Sequence, residues 1–321
     1  MDLDLVKIVG ITNEALYSYL KRHSNRDNVV VVDLEGMSKL FSMKPEHIGS
    51  CISELSFLGL FRKIGKNTYL MFDKIKEKNL SLGEFIDGSF VISGYDSEAF
   101  LLRSIIDRCC KNKTYADVCW SENFSDIDYF RVWCNNQIGY KNRDAANIVW
   151  HIEKDLLSGY DSRIYSENTC VFLPQEINST IGRRGSSVDT GLPMGVSFRD
   201  NPHTFCSPSK NVVEKYILKG QVESGDAKHY SACISIRGVS HHLGEFYTKE
   251  CAGEAYRYAK RTYLTEVAEK WKDEIDPRAY QALLNYDLDK LRRNVTYPLH
   301  YPITNYKLAL RQHRGYYNDL D

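Results

Sequence analysis

Trp150-His-Ile-Glu-Lys-Asp-Leu-Leu157 and Tyr165-Ser-Glu-Asn-Thr-Cys-Val-Phe-Leu-Pro-Gln-Glu-Ile-Asn178 lie on either side of a Ser158-Gly-Tyr-Asp-Ser162 turn. Two short apolar runs about a glycine-containing turn predict a β-hairpin. Pro174, with polar residues after it, predicts the start of a helix. Acidic, histidine and asparagine side chains are expected at the rim of this hairpin-and-helix unit.

The surrounding chain has 321 residues, 43% of them hydrophobic and 12% aromatic, enough for two or three domains with real cores. Its 42 basic and 42 acidic residues cancel, which excludes a uniformly basic nucleic-acid coat and leaves room for local basic faces. The nine cysteines are an odd set without paired Cys-x-x-Cys knuckles. They read as buried thiols of a reducing cytosol rather than a disulfide framework or a zinc site. No run approaches the roughly 18 apolar residues of a membrane helix, and the first residues carry no secretory signal, so a cytoplasmic protein with no membrane partner is expected. Glycine-rich phosphate loops and nucleophile elbows are absent.

Toward the N-terminus, Thr12 to His23 predicts a helix with Leu16 and Leu20 on one face, and Val29-Val-Val-Val-Asp33 a short strand. Asp33 is positioned to cap a helix running to Phe41. Pro45 suits the first turn of the next helix, Glu46 to Leu58, whose stripe is Ile48, Ile52, Leu55 and Leu58. Gly59 ends it, and two strands then flank a Gly65-Lys-Asn67 turn. This order resembles winged helix-turn-helix domains. The resemblance implies Lys44, His47, Ser50 and Ser53 toward a DNA major groove, with Arg62, Lys63 and Lys66 of the wing on phosphates. Such domains also serve as protein-contact modules. The stretch 76–98 mixes charge, glycine and serine and reads as a linker.

Further on, Phe100 to Cys110 predicts a helix, and Phe124, Ile127, Phe130 and Trp133 recur every three residues as the buried face of another. Leu192–Phe198, Tyr230–Arg237 and Ser240–Phe246 predict three strands, with Gly238-Val239 as a tight turn and a helix from Thr248 onward. The tail 287–321 interleaves lysine and arginine with tyrosine, which suits nucleic acid or a strap on the protein body equally well.

Two further resemblances join these segments. Ile152-Glu-Lys-Asp155, Tyr165 to Pro174 and Ile177-Asn178 resemble the ββα segment of phage-type HNH homing endonucleases, in the variant with an acidic strand motif. By that resemblance Glu153 and Asp155, with His151 beside them, are the catalytic candidates. Asp155, Thr169 and Asn178 then become ligands for one divalent cation of the Mg²⁺ class. The sequence departs from the family pattern at Glu153, where an aspartate is usual, and at Glu167, where a proline is.

The Pro193-Met-Gly-Val196 run, the Tyr230-Ser-Ala-Cys-Ile234 run and the His242-Leu-Gly-Glu-Phe246 run resemble the ethylene-response-factor (integrase-like) domain. That resemblance implies three antiparallel strands in the major groove, with Arg199, Tyr230, Ser235, Arg237, His241 and His242 on bases or phosphates. Arg183 and Arg184 lie in the basic connection before it, and the loop 200–228 is far longer than the family's. The expected whole is an α+β multidomain chain. It comprises a winged helix at 1–75, a linker at 76–98, an HNH-like centre at 99–182, a three-stranded sheet with a helix at 190–286, and the tail. The function expected of it is double-stranded DNA binding with nicking or cleavage; the alternative is a DNA-binding regulator that has lost the chemistry. A phage-encoded chain of this kind would act in the cytoplasm of a bacterial host.

Overall fold

The computed structural model describes residues 3–86, 89–94, 96–158, 163–181, 191–199, 214–217 and 229–288. It is a mixed α/β chain with several small, mostly antiparallel sheets. By contacts it divides into two compact units, Met1–Gln175 with Asp273–Ala279, and Glu176–Lys272 with Tyr280–Asp321.

The first unit opens with helix α1 (Leu3–Arg22), which breaks its helical dihedrals at Gly10. Leu16 and Leu20 are buried as the spacing predicts, and the helix begins nine residues before the predicted Thr12. Strand β1 (Val29–Val31) leads to α2 (Leu34–Phe41), where the Asp33 carboxylate accepts the Glu35 N–H at 3.1 Å. Helix α3 (Pro45–Phe57) follows, with Pro45 in its first turn. Gly59, at φ 87°, provides the left-handed residue after it. Strands β2 (Phe61–Gly65) and β3 (Thr68–Met71) complete a sheet of order β1-β3-β2, all antiparallel.

The predicted linker is not one. Residues 76–98 form α4 (Glu77–Leu80) and the hairpin β4 (Gly83–Ile86)–β5 (Ser89–Ile92). Asn79 is buried and donates to the Phe57 carbonyl at 2.6 Å, while the Phe90 and Phe57 rings lie 5.7 Å apart. Glu77, Lys78 and Glu84 are exposed, while the amide and the ring anchor the segment to the end of α3.

Helix α5 (Ser97–Lys111), N-capped by Asp96, packs along α3. Strand β6 (Cys119–Trp120) and α6 (Ile127–Asn135) come next. Phe124, Ile127, Phe130 and Trp133 are all buried, although Phe124 sits in a short turn ahead of the helix, because Asp126 caps it at Ile127. Phe124, Phe130, Trp133 and Phe172 stack within 4.7–5.8 Å of one another along the chain of contacts.

Strand β7 (His151–Glu153) and the single turn α7 (Asp155–Ser158) precede β8 (Ile164–Tyr165), which pairs with β6 in parallel. Strand β9 (Val171–Leu173) pairs antiparallel with β7, His151 opposite Leu173 and Glu153 opposite Val171.

In the second unit α8 (Gln175–Ile181) continues directly from the first. Strands β10 (Val196–Arg199), β11 (His229–Ile236) and β12 (Val239–Phe246) form an antiparallel sheet in that order, and α9 (Lys249–Trp271), capped by the Thr248 hydroxyl, packs behind it. Ala252, Ala255, Tyr256, Ala259, Tyr263 and Val267 are buried along α9 as the spacing predicts. Gly195, at φ 73°, passes so close to the Tyr256 ring that any side chain there would collide with it. Pro277, suited to a first helical turn, starts α10 (Pro277–Leu284). The basic connection within 182–190, most of the 200–228 loop and the tail from 289 lie outside the described residues. So do Arg183 and Arg184. The described residues 214–217 include Tyr216, whose hydroxyl donates to Glu266 on α9.

No described helix is long and apolar enough to cross a membrane.

Candidate functional site

Of the expected N-terminal DNA contacts, the structure leaves some outward and draws others in. Lys44 and His47 are exposed, and Ser50 is half-buried with its hydroxyl on the Glu46 carbonyl at 3.0 Å. Ser53 is a correction: it is fully buried and donates to the Asp107 carboxylate of α5. Arg103 of α5 reaches the same carboxylate at 3.1 Å and Glu54 at 3.7 Å, and Lys111 joins Asp107 at 3.1 Å. Glu54 also accepts from Asn13 of α1 at 3.1 Å, and burial raises its pKa above the ordinary carboxylate value. The second half of α3 is thus closed off by α5 through a buried polar network. The i,i+4 ladder Arg103–Asp107–Lys111 was the sequence signal for it.

The wing is corrected in the same way. Lys63 is 1% exposed, with its ammonium on the Cys109 carbonyl at 2.6 Å and the Tyr115 carbonyl at 3.3 Å. Burial lowers its pKa. Arg62 pairs with Glu122 at 3.0 Å. Lys66, at the hairpin tip, is exposed.

At the central hairpin, His151 is exposed at the head of β7. Glu153 is half-buried, one carboxylate oxygen accepts the Asp155 N–H at 2.6 Å, and burial raises its pKa. Asp155 is not on the strand but opens α7, where it pairs with Lys154. That lysine is 5% exposed and lies 5.8 and 5.7 Å from the Tyr115 and Tyr165 ring centres. Thr169 is committed to its own loop, donating to the Ile164 carbonyl at 2.8 Å and accepting from the Ser166 N–H at 3.0 Å. Asn178 is half-buried on α8, in the second unit.

These residues do not fit a divalent cation. A Mg²⁺-class ion needs several oxygen lone pairs converging on one point. Here one oxygen of Glu153 caps a turn, Asp155 is neutralised by its neighbour, and the Thr169 hydroxyl is spent on backbone. Among the described residues no group of three His, Cys, Asp or Glu side chains is placed to hold a metal. The cysteines fit the reading as thiols: Cys51, Cys109, Cys110, Cys134 and Cys170 are buried and free, and burial raises their pKa values.

On the three-stranded sheet, register sorts the side chains. Ile234 is buried against α9 and pairs with His241, so His241 shares that inner side. Its Nδ1 is enclosed without a hydrogen-bond partner among the described residues. Cys233 pairs with His242 and Ser235 with Ser240, on the opposite side. Ser231 and Glu245, paired on that side too, are each only 1% exposed. On the same side Ser197 of β10, opposite Ser231, is exposed, and the side is also accessible toward the β11–β12 turn. There Arg237, at φ 49°, donates its N–H to the Tyr263 hydroxyl at 3.2 Å and has a side chain 72% exposed, 3.4 Å from Glu176. Tyr230 is half-buried with its ring on Phe198, centroids 5.5 Å apart. Arg199 ends β10, paired with His229.

Comparison with models of protein families, with curated proteins and with solved structures finds nothing that matches this chain.

Proposed function

We propose that the chain binds double-stranded DNA without cutting it, and that the turn end of the three-stranded sheet is its contact surface. The observation that supports this is the β10-β11-β12 order with α9 behind it, the layout implied by the integrase-like resemblance. Arg237 and Ser240 are exposed at its turn end, with Ser235 and His242 half-buried beside them. A guanidinium, two hydroxyls and an imidazole on a two-stranded ribbon suit base edges and phosphates in a major groove. In the first unit, the helix-strand-helix-helix-hairpin order resembles a winged helix. Its Lys44, His47, Ser50 and Lys66 add phosphate contacts, while the sealed half of α3 stays out of the groove. The ββα segment serves as scaffold, its carboxylates engaged within the fold.

Fluorescence anisotropy of the full chain on a labelled pool of mixed-sequence duplexes tests the reading. Binding should weaken steeply with salt, and Arg237→Ala should cost about 1 to 3 kcal/mol of binding free energy. A shift that is absent or indifferent to salt rejects DNA as the partner. Supercoiled plasmid with Mg²⁺ or Mn²⁺ tests the chemistry: intact plasmid is expected. Nicking by the wild type that Glu153→Ala/Asp155→Ala abolishes would restore the nuclease reading.

A further inference from the structure

Between α6 and β7 the chain throws out a loop, Gly139 to Trp150. It is anchored at its base and projects at its tip. Trp150 is 3% exposed and lies directly beneath Gly139, whose φ of 86° and lack of a Cβ allow the approach. Tyr140 stacks on Phe172 at 5.0 Å, and Lys141 reaches Glu98 at 2.9 Å. Beyond these, Asn142, Arg143, Ala145, Ala146, Asn147, Ile148 and Val149 are all exposed.

The tip is nonetheless built to one shape. Asp144 accepts the N–H groups of Ala146 and Ile148, each at 2.9 Å, and its own N–H donates to the Ile148 carbonyl at 2.9 Å. Arg143 bridges to Val149 across the loop and donates to the Asn147 carbonyl at 2.8 Å. Trp150 N–H closes the base on the Asn142 carbonyl at 2.9 Å. Asn147 holds φ at 62°, a left-handed conformation asparagine takes readily, and Lys141 holds 64°, which is uncommon for a lysine.

A loop so constrained has already lost the entropy that binding would otherwise remove. What it offers is selective. Asp144, the one carboxylate, is half-buried and accepts both N–H groups through one oxygen; set against its charge are the Lys141 ammonium and the Arg143 guanidinium, beside two amides and two aliphatic side chains, Ile148 at 43% and Val149 at 42% exposure. We infer that this loop is a preformed second DNA contact, entering a groove of the duplex with Arg143, Asn142 and Asn147 on its edges and Ile148 and Val149 against its wall. The minor groove presents mainly acceptors, which amide and guanidinium N–H groups match, and aliphatic side chains are the usual wedge there. A projecting tip with two cations, Lys141 and Arg143, against one half-buried carboxylate suits a polyanion.

This inference rests on the DNA-binding function, and the experiment separates the two. Full-length Arg143→Ala/Asn147→Ala, and separately Ile148→Ser, are compared with wild type by anisotropy on one short labelled mixed-sequence duplex, with melting temperature as the control for folding. The expected result is an affinity loss of about tenfold for the double variant, a salt slope shallower by about one, and melting unchanged. Wild type that binds the duplex while both variants bind equally overturns the loop's role and leaves DNA binding standing. Wild type that ignores the duplex overturns both and makes a protein the partner of the loop.

Discussion

Lysine 63 shows how little a residue's type decides where it goes. Its neighbour Phe61 is buried, and on a pleated strand every second residue shares a face, so Lys63 follows Phe61 inward while Ile64 is left 45% exposed. Strand parity overruled hydrophobicity, and that parity was legible in Phe61-Arg-Lys-Ile64; reading the basic pair as a wing tip ignored it. Replacing Lys63 by alanine strands two carbonyls and empties its site, and should cost about 2 to 4 kcal/mol in chemical denaturation. Lys66→Ala, on the exposed tip, should stay within about 0.5 kcal/mol. Glu98 gives a pH counterpart. Burial opposes its charge, but donors from Lys141, Tyr140 and Ser97 outweigh it and hold the carboxyl at about 2, against an ordinary value of 4.5. A depressed acid stabilises the fold above its unfolded value and loses that contribution as pH falls through the folded one. Acid titration of stability between pH 4.5 and about 2 should therefore be flatter in Glu98→Gln than in wild type.

At the scale of elements, what repeats locally was readable and what pairs at a distance was not. The Asp33 cap, Pro45 at a helix start, the α9 stripe and the three strands of the second unit all follow from neighbours within a few residues. The parallel pairing of β6 with β8 joins residues some forty-five positions apart, and no local pattern announces it. The candidate centre suffered in the same way. Its strands β7 and β9 pair antiparallel, but α7 and β8 lie between them and β8 joins β6 instead; Asp155 left the strand because the Glu153 carboxylate takes its N–H and starts a helical turn. Gly195 is the sharpest test of an element contact. Gly195→Ala must both strain a φ of 73° and push back Tyr256, so a loss of about 2 kcal/mol or more is expected in thermal melting, with β10 the first strand to lose amide protection.

For the molecule as a whole, composition foretold cores, and contacts divide the chain into two units that interleave along the sequence. The stretch read as a linker packs on α3, and Asp273–Ala279 belongs with the first unit although about a hundred residues of the second precede it. Ile275 and Ala279 are buried there, and Arg278 donates to the Glu167 carbonyl at 3.4 Å. No single cut of the chain separates the units cleanly. A fragment ending at Gln175 should melt lower than the first-unit transition of the intact chain, and hydrogen exchange should locate the loss around Glu167; an unchanged midpoint would show that the returning segment contributes nothing.

The cover that α5 lays over α3 also has a consequence in time. Residues 45–57 finish translation well before 97–111 exist, and at about 5 to 20 residues per second the interval lasts several seconds. During it, Glu54 and Ser53 have neither Arg103 nor Asp107 to meet, and the face of α3 that α5 later covers stands open. The nascent N-terminal module is thus the stage of synthesis at which a chaperone would have most to hold, and its release would come with the arrival of a single helix.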